Sequence, residues 1–422
     1  MNTKKLIPCV YLYQEQLVKG FKDTTLVSAD PVSYITDLAV NGADMVIIFD
    51  LSDGDVDHEN ALLMIRKITK ATDVPIIGAG NVKRLEDVKK LIYAGCKKVA
   101  LNMAKQSNID LIEEAGKRFS KQKILACADA PLQILDNLKV LKDNTTGAIL
   151  LGKMDWDGFE DMSLICVIND DINIEEVVKL KSLSGISGDI INRYGTKLTE
   201  LKLSLKDSGI NVEILEASIK WDELKKDTNG LVPVVVQDVI SNKVLMVAYM
   251  NEEAYIATLN TGIMTYYSRS RQELWKKGDT SGHYQYVKSI TTDCDKDTIL
   301  AKVVQIGNAC HTGSYSCFFN EIASKEFDEA NPYTVLEDVM GVILDRKENP
   351  KEGSYTNYLF DKGIDKILKK VGEEATEIVI AAKNPEPEES KYEIADFLYH
   401  VMVLMALKGI TWEQVMEELA NR

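Results

Sequence analysis

The segment Asp293-Cys294-Asp295-Lys296-Asp297 is followed closely by Cys310-His311-Thr312-Gly313 and by Cys317. Together these residues place three carboxylates, three thiols and a histidine within 25 positions. Carboxylates are ligands for hard cations such as Mg²⁺, whereas thiolates bind Zn²⁺. The segment therefore predicts a metal-dependent hydrolytic centre, around which the central part of the chain is organised.

The acidic motif lies between two strand-like segments, residues 284–290 and 299–306. If the motif is extended, Asp293, Asp295 and Asp297 point to one face, and Cys294 and Lys296 to the other. In a flat strand the carboxylates stand roughly 7 Å apart, so one ion requires a curled segment or a bridging water. Alternation thus predicts two sites back to back, one for zinc and one for magnesium.

The three cysteines predict a catalytic zinc site. Three thiolates leave the fourth tetrahedral position open for water, whereas structural sites usually have four protein ligands. Zinc lowers the pKa of bound water to about 7. His311, beside a thiol, and His283 are the candidates for proton transfer. A structural zinc site with a histidine nearby is the alternative.

The composition is that of a soluble globular protein. The 422 residues are 45% hydrophobic and 27% charged, and about 150 residues per domain predicts two to four domains. The net charge of −15 argues against nucleic-acid binding, because an acidic surface repels phosphates. No apolar run reaches the roughly 18 residues of a membrane span, and no signal peptide is recognisable. With seven cysteines, an odd number, we expect a cytoplasmic protein without disulfides.

Apolar runs alternate with amphipathic segments through the first half, which is typical of β-α units around a parallel sheet. The predicted strands are residues 6–10, 45–50, 75–78, 98–102, 124–128, 148–151, 164–167 and 190–191. The predicted helices are residues 31–40, 59–69, 85–93, 109–119, 131–141, 174–183 and 198–208. Eight strands predict a (β/α)8-like barrel. Residues 157–164 leave no room for a crossover helix, so the barrel is irregular.

This half also carries the motifs Leu6-Ile7-Pro8-Cys9-Val10, Val18-Lys19-Gly20, Asn41-Gly42-Ala43-Asp44, Gly78-Ala79-Gly80, Ala94-Gly95-Cys96-Lys97-Lys98-Val99 and Asp155-Trp156-Asp157-Gly158. Together they resemble the cyclase-type barrel of histidine biosynthesis, the cyclase subunit of imidazole-glycerol-phosphate synthase. That family uses an aspartate at the end of strands one and five as an acid–base pair, but here Tyr11 replaces the first and only Asp129 remains. A phenol with a pKa of about 10 exchanges protons poorly at neutral pH. Asn169-Asp170-Asp171 also replaces a phosphate-binding glycine pair. We predict a non-catalytic scaffold or oligomerisation domain, with weak binding near residues 78–80 left open.

The central segment is predicted to be β-rich, with strands 231–236 and 244–249 around the turn Ser241-Asn242. It contains Ser268-Arg269-Ser270-Arg271, Leu274-Trp275-Lys276-Lys277-Gly278, Thr280-Ser281-Gly282-His283-Tyr284-Gln285 and Ser316-Cys317-Phe318 beside the cysteine and aspartate motifs. Together these motifs closely resemble those of phosphoribosyl-AMP cyclohydrolase. The resemblance implies zinc on Cys294, Cys310 and Cys317, magnesium on Asp293, Asp295 and Asp297, and hydrolytic opening of the purine ring between N1 and C6. It also implies a homodimer in which both subunits supply zinc ligands.

The basic residues of the central segment are candidates for substrate binding. Cationic side chains would hold phosphate and offset the acidic surface. A solvated, charged strand end is the alternative. The candidates for substrate binding are Arg269, Arg271, Trp275, Lys276 and Lys277.

The C-terminal segment is predicted to be helical, with a 3.6-residue apolar period over 364–382, a break at Pro385 and Pro387, and helices at 335–346, 392–407 and 412–419. Three- and four-residue spacings place acidic side chains along one flank of each of two helices. If these helices pack antiparallel, the carboxylates converge and require cations such as Mg²⁺. Two solvated acidic faces are the alternative. The acidic residues are Glu373, Glu374, Glu377, Glu393 and Asp396.

Three motifs of this segment are Ser354-Tyr355-Thr356, Lys370-Val371-Gly372-Glu373-Glu374-Ala375-Thr376-Glu377 and Glu393-Ile394-Ala395-Asp396. They resemble phosphoribosyl-ATP pyrophosphatase, an all-α nucleotide pyrophosphohydrolase. The resemblance implies that the acidic residues bind the Mg²⁺ that bridges the substrate phosphates. Lys366, Lys369 or Lys370 is the candidate to neutralise the departing pyrophosphate, and a surface role for these lysines is the alternative.

We therefore predict a multidomain chain: a non-catalytic barrel at 1–215, an α+β zinc domain at 216–323, a linker at 324–332 and an all-α domain at 333–422. The predicted function is cleavage of phosphoribosyl-ATP to phosphoribosyl-AMP and pyrophosphate, followed by opening of the adenine ring. The substrates are phosphorylated nucleotides and the cofactors Zn²⁺ and Mg²⁺. The alternatives are a general nucleotide pyrophosphohydrolase with a structural zinc domain, and a zinc-stabilised scaffold protein without catalysis.

Overall fold

The computed structural model of the chain describes residues 3–152, 162–169, 173–325 and 334–420. The chain divides into two compact units, Met1–Glu321 and Ile322–Arg422. None of the described helices combines the length and apolar character that crossing a membrane requires.

The first unit begins with a sheet of eleven strands. The strands are β1 (Lys5–Ile7), β2 (Cys9–Tyr13), β3 (Gln16–Gly20), β4 (Asp23–Ser28), β5 (Val46–Asp50), β6 (Ile76–Ala79), β7 (Lys98–Asn102), β8 (Ile124–Ala128), β9 (Ala148–Leu151), β10 (Leu164–Val167) and β11 (Leu183–Ser187). The helices are α1 (Pro31–Val40), α2 (Asp55–Ala71), α3 (Leu85–Tyr93), α4 (Gln106–Phe119), α5 (Pro131–Leu135), α6 (Leu138–Asn144), α7 (Ile174–Val178), α8 (Asp189–Asn192) and α9 (Leu198–Asp207).

The parallel strands confirm the barrel. β1 pairs with β11 and β2 pairs with β5, both in parallel. Only Pro8 separates β1 from β2, and a proline cannot donate to a β-ladder. The two short strands therefore act as one interrupted strand that joins the first and last strands of the barrel. The parallel strands are largely apolar on both faces, because one face fills the barrel and the other packs against helices.

Some details of the predicted barrel are wrong. Residues 190–191 belong to helix α8, and the last strand is β11, which overlaps the predicted helix 174–183 only at Leu183. Gly185 allows that strand to pack closely, since a Cβ there would lie 2.7 Å from the side chain of Ile7. The β3–β4 hairpin was not predicted. The motif Asp155-Trp156-Asp157-Gly158 lies outside the described residues, as does most of the 157–164 segment.

The candidate catalytic position of the barrel is filled by an aromatic group. Tyr11 is buried, stacks on Phe49 at 5.6 Å and meets the edge of Phe21 at 5.0 Å. Burial raises the pKa of the Tyr11 hydroxyl above its ordinary value of 10.0. Asp129 is exposed at the end of β8. Asn169 accepts a hydrogen bond from the N–H of Asp189 at 3.1 Å, whereas residues 170–172 lie outside the described residues.

The central part of the first unit is β-rich, as predicted. β12 (Val232–Asp238), β13 (Val244–Met250), β16 (Gln285–Thr292) and β17 (Ile299–Gln305) form a sheet in the order β13-β12-β17-β16. β14 (Thr265–Ser268) pairs with β15 (Glu273–Lys276), and α10 (Glu252–Thr261) lies between β13 and β14. The turn at Ser241-Asn242 is confirmed, with Asn242 at a φ of 56°. Helix α10 was not predicted.

The second unit is helical, as predicted. Its helices are α11 (Val335–Glu348), α12 (Tyr355–Lys362), α13 (Ile364–Ala381), α14 (Pro387–Lys408) and α15 (Trp412–Ala420). Apolar side chains from four of these helices form the core, including Met340, Leu359, Ile367 and Val403, with Trp412 packed against it. Helix α12 was not predicted. Most of the predicted linker at 324–332 lies outside the described residues.

Candidate functional site

Residues 293–297, called here the acidic turn, connect β16 to β17. Lys296 has a φ of 63°, the left-handed conformation that reverses a chain. Asp293 accepts hydrogen bonds from the N–H groups of Asp297 at 3.1 Å and Thr298 at 3.2 Å. The carboxylate oxygens of Asp293, Asp295 and Asp297 consequently lie within 4.8 Å of one another. The predicted extended strand with alternating faces is wrong here, and the curled arrangement is present.

The electrostatics of the acidic turn favour a cation. Desolvation acts to raise the pKa of Asp293, but hydrogen bonds, including those from the Thr298 and Asp297 N–H groups, hold it below its ordinary value. The Lys225 ammonium lies 3.3 Å from a carboxylate oxygen of Asp295. Three exposed carboxylates at this spacing fit a hard divalent cation with water completing its coordination.

The thiols of Cys294, Cys310 and Cys317 do not lie together as one group of three ligands in the described part of one chain. Groups of three or more close ligand atoms occur there only at the acidic turn and in the C-terminal helices. Cys310 and Cys317 are neighbours whose thiols interact, while Cys294 is exposed on the acidic turn. The Thr312 hydroxyl donates to Sγ of Cys310 at 3.1 Å and holds the pKa of that thiol below its ordinary value. Burial and the nearby Cys310 raise the pKa of Cys317.

Lys277 lies beside this thiol pair, and His283 lies beside Lys277. The Lys277 side chain is buried, which lowers its pKa, while the charges of Cys317 and Cys310 act in the opposite direction. Its ammonium donates to the carbonyl oxygen of His283 at 3.3 Å. Nδ1 of His283 lies 2.9 Å from the carbonyl oxygen of Asn308, which orients the ring. The segment joining β15 to β16 therefore holds a cation and an imidazole near the thiols.

The remaining central candidates are more exposed. Arg269 covers the face of Tyr249 at 3.8 Å, and Arg271 pairs with Glu273 at 3.2 Å. Lys276 lies 3.8 Å from Asp279. The rings of Trp275 and Tyr266 are 5.4 Å apart, and His311 is exposed beside Cys310. Arg269, Arg271 and Lys276 therefore remain accessible to an anionic ligand, whereas Lys277 is held inside.

Helices α13 and α14 bring three acidic residues together. The carboxylate oxygens of Glu374, Glu377 and Glu393, called here the acidic cluster, lie within 4.8 Å of one another. Glu374 is buried, Glu393 is half-buried and Glu377 is exposed. A hydrogen bond shared with Glu374 and the charge of Glu393 raise the pKa of Glu377 above its ordinary value. Such repulsion at a partly buried position is relieved by a divalent cation, so these residues fit one.

Two other predicted acidic residues flank the cluster. Glu373 pairs with Lys370 at 2.9 Å, and this contact lowers the pKa of Glu373. Lys370 also lies 3.3 Å from Glu374, and these carboxylates raise its pKa. The side chain of Asp396 is exposed and does not belong to the described three-oxygen group. Lys366 lies over the ring of Tyr358 at 5.9 Å.

The sequence analysis missed two residues beside the acidic cluster. His400 is buried, with Nδ1 2.8 Å from the carbonyl oxygen of Asp396 and 3.6 Å from the carboxylate of Glu374. Its Nε2 lies 3.2 Å from the hydroxyl of Tyr355. Tyr355 stands in a motif that was recognised, but no role was given to it. His400 follows Asp396 by four residues, a helical spacing that could have identified it.

Three regions of the chain match known families. Residues 246–319 match phosphoribosyl-AMP cyclohydrolase, and residues 336–422 match phosphoribosyl-ATP pyrophosphohydrolase. Residues 5–161 match the histidine biosynthesis protein family. The first two regions contain the acidic turn and the acidic cluster, respectively.

Bifunctional relatives match nearly half of this chain over almost their whole length. The histidine biosynthesis bifunctional protein HisIE of Thermoanaerobacter pseudethanolicus is 53% identical over 209 residues, which is 46% of this chain and 97% of the relative. Those of Lactococcus lactis and Bacillus subtilis are 53% and 50% identical, covering 46% and 48% of this chain and 88% and 95% of the relatives.

The fold, the two acidic sites and the two hydrolase matches define a metal-dependent hydrolase with two active regions. The chain belongs to the family of the bifunctional histidine biosynthesis protein HisIE.

Proposed function

We propose that the two acidic sites carry consecutive steps of histidine biosynthesis. The acidic cluster would cleave phosphoribosyl-ATP to phosphoribosyl-AMP and pyrophosphate. The acidic turn and the adjoining thiols would then open the adenine ring of phosphoribosyl-AMP to the formimino-AICAR ribonucleotide. The observation that carries this proposal is the presence of two separate ligand groups, each within a region that matches a different hydrolase family.

In the C-terminal site, Glu374, Glu377 and Glu393 would hold Mg²⁺, and Glu373 and Asp396 are proposed as further ligands. Bound Mg²⁺ neutralises substrate phosphates and positions water. Lys370 pairs with one carboxylate oxygen of Glu373, so the other oxygen would serve as the metal ligand. Lys370, on the same helix as Lys366 and Lys369, would neutralise the departing pyrophosphate.

His400 and Tyr355 are proposed to keep Glu374 in position. The buried imidazole faces Glu374 with one nitrogen and Tyr355 with the other. Because ligand side chains are commonly oriented by such neighbours, loss of either group would misplace Glu374. This pair supports a preorganised site.

In the central site, Asp293, Asp295 and Asp297 would hold Mg²⁺ and the thiols would hold Zn²⁺. Bound zinc supplies a nucleophilic hydroxide near neutral pH. The neighbouring Cys310 and Cys317 provide two thiols, and Cys294 of a second copy is proposed as the third, which makes the protein a homodimer. Lys277 would keep the thiols ionised. His283 or His311 would move the proton that the departing ring nitrogen requires.

The substrate phosphates would be held by the exposed cations Arg269 and Arg271 and by the half-buried Lys276, with Trp275 beside them. These groups lie in or next to the β14–β15 hairpin, on the segment that leads to His283. Their positive charge offsets the acidic surface of the chain, which otherwise repels phosphorylated substrates.

The domain division predicted from sequence is proposed as well: a barrel at 1–215, the ring-opening domain at 216–323, a linker at 324–332 and the pyrophosphate-releasing domain at 333–422. The aromatic packing around Tyr11 supports a barrel without acid–base catalysis. None of the seven cysteines, all of which lie in the described residues, forms a disulfide, which supports a cytoplasmic location.

Subunit complementation tests the shared zinc site. Cys294→Ser and Cys310→Ser chains are each expected to be inactive in ring opening. When the two are unfolded together and refolded as a mixture, a mixed dimer has one site with all three thiols. About a quarter of wild-type activity is expected, since half of the dimers are mixed and each carries one of two sites. Mixing Cys310→Ser with Cys317→Ser is the control, because both remove thiols from the same half-site. Equal activity in both mixtures would contradict the proposal.

A further inference from the structure

A buried hydrogen bond joins the barrel to the ring-opening domain. Thr72, just after barrel helix α2, lies with its hydroxyl oxygen 3.0 Å from the hydroxyl of Tyr286 in strand β16. Both side chains are buried. The contact links parts of the chain that are 214 residues apart in sequence. Buried hydroxyls of this kind hold a fixed geometry, because separating them leaves polar groups without water.

Apolar and charged contacts lie next to this hydrogen bond, and together they form the interface between the barrel and the region of strand β16, called here the joint. Val40 of helix α1 packs in one cluster with Ile263, Tyr284 and Tyr286. Beside them the ammonium of Lys288 forms an ion pair with the carboxylate of Asp73 in the barrel. Tyr284 lies just before β16, and Tyr286 and Lys288 lie within it. A β-bulge between Val287 and Ser289 interrupts the pairing with β17, so the contacts of these side chains with the barrel, and not strand alternation, define the interface.

Strand β16 has limited support within its own sheet. It lies at the edge of the order β13-β12-β17-β16. Beyond β17, its described backbone pairing is an isolated bridge between Ile263 and Tyr286. An edge strand of this kind depends on the surface that covers it more than a central strand does.

The joint leads directly into the ring-opening site. Tyr284 packs so tightly on Gly278 that a Cβ there would lie 2.5 Å from its ring. Gly278 and Tyr284 bracket the segment that holds His283, and Lys277 donates to the His283 carbonyl at 3.3 Å. A displacement of Tyr284 therefore moves both His283 and Lys277.

We propose that the barrel is a positioning element for the ring-opening reaction, acting through Thr72, Asp73 and Val40 on Tyr284, Tyr286 and Lys288. This inference rests on the proposed function of the central domain. The Thermoanaerobacter relative is matched over 97% of its length by only 46% of this chain, so it has no room for a comparable barrel. The barrel thus adds a support for His283 in this chain without taking part in catalysis itself.

A single hydroxyl deletion tests the joint. Tyr286→Phe in the full chain removes the hydroxyl that contacts Thr72 and the backbone of Asp73. It is expected to lower kcat for ring opening of phosphoribosyl-AMP by at least about fivefold, the rate equivalent of one lost hydrogen bond. KM for phosphoribosyl-AMP and the rate of pyrophosphate release from phosphoribosyl-ATP are expected to stay unchanged. Tyr255→Phe is the matched control, because that buried hydroxyl donates at 2.8 Å to the carbonyl of Ile219, outside the barrel.

A charge exchange provides a second test that does not disturb the core. Lys288→Glu faces Asp73 with a like charge and is expected to lower kcat and to speed amide hydrogen exchange in residues 277–286. Adding Asp73→Lys to that variant is expected to restore both. If wild type opens phosphoribosyl-AMP normally but these variants match it in kcat and exchange, the positioning role is wrong. If wild type itself does not open phosphoribosyl-AMP, the proposed function of the central domain fails first.

Discussion

The acidic turn makes a prediction that separates folding from metal binding. Asp293 accepts two backbone hydrogen bonds that hold the turn, and its carboxylate is one of three proposed Mg²⁺ ligands. Asp293→Asn keeps an oxygen that can accept the N–H groups of Asp297 and Thr298, but removes one negative charge. Asp293→Ala removes both the hydrogen-bond acceptor and the negative charge. The two variants should therefore differ in structure while both lose metal affinity.

The size of the effect follows from the ligand count. Loss of a partner outside a metal's coordination sphere typically weakens binding by about 10- to 100-fold, so loss of one of three carboxylate charges should weaken it by at least about 10-fold. Asp293→Asn is expected to raise the Mg²⁺ concentration for half-maximal ring opening by this factor, with the turn intact. Asp293→Ala is expected to lose more activity at saturating Mg²⁺, because the turn no longer holds Asp295 and Asp297 together.

The assay is a Mg²⁺ titration of ring opening in metal-depleted protein reloaded with zinc, with phosphoribosyl-AMP as substrate. The acidic cluster contributes no signal because phosphoribosyl-AMP bypasses its step. Amide hydrogen exchange at Thr298, whose N–H donates to Asp293, reports the turn itself. An unchanged half-saturating Mg²⁺ concentration in Asp293→Asn would refute the assignment of this carboxylate as a ligand. Identical behaviour of the Asn and Ala variants would refute the structural role of the turn.

Three further predictions concern the other sites. In protein stripped of metal, Glu377 has a raised pKa, so the folded helices bind its proton more tightly than the unfolded chain does. The protection of helices α13 and α14 from hydrogen exchange should therefore rise as the pH falls from neutral toward 4.5. Bound Mg²⁺ should remove this rise. If protection in the metal-free protein does not change with pH, the raised pKa of Glu377 is contradicted. Tyr355→Phe removes the hydroxyl near His400 and should slow pyrophosphate release about fivefold with KM unchanged. A coupled assay for pyrophosphate measures this rate. A change in KM alone would indicate that Tyr355 acts in substrate binding instead. Asp44→Ala should lower the free energy of barrel unfolding by about 3–5 kcal/mol in denaturant titrations, because it leaves the buried ammonium of Lys202 without its carboxylate. A loss below about 1 kcal/mol, as for an exposed ion pair, would contradict that assignment.

The sequence predicted the elements whose signal is local. Most of the parallel barrel strands are continuous apolar runs and helix α13 keeps a clear apolar period, so these were placed correctly, whereas α14 begins at Pro387 and not at the predicted residue 392. The last barrel strand was misplaced because Ile190 and Ile191 look like a strand but lie in the short helix Asp189–Asn192. Its true position, β11, contains Ser184, Gly185 and Ser187, whose small side chains hide the β pattern.

The sites were predictable by residue type but not by geometry. The identities of the acidic residues predicted both groups of metal ligands. The predicted alternation of side chains was wrong at the acidic turn, because Lys296 adopts a left-handed backbone conformation that a sequence pattern does not predict. The burial of Lys277 and His400 was also not visible, since it depends on packing between distant segments. The joint between Thr72 and Tyr286 depends on a tertiary contact across 214 residues, which local patterns cannot show.

The central claim is that two sites on one chain act in sequence, and intermediate analysis tests it most directly. Phosphoribosyl-ATP is supplied to wild type, Cys310→Ser and Glu377→Gln, and the nucleotides are separated over time. Wild type should yield the ring-opened product, Cys310→Ser should accumulate phosphoribosyl-AMP and pyrophosphate, and Glu377→Gln should leave phosphoribosyl-ATP intact while still opening added phosphoribosyl-AMP. If either variant completes both steps at the wild-type rate, the assignment of that site is wrong.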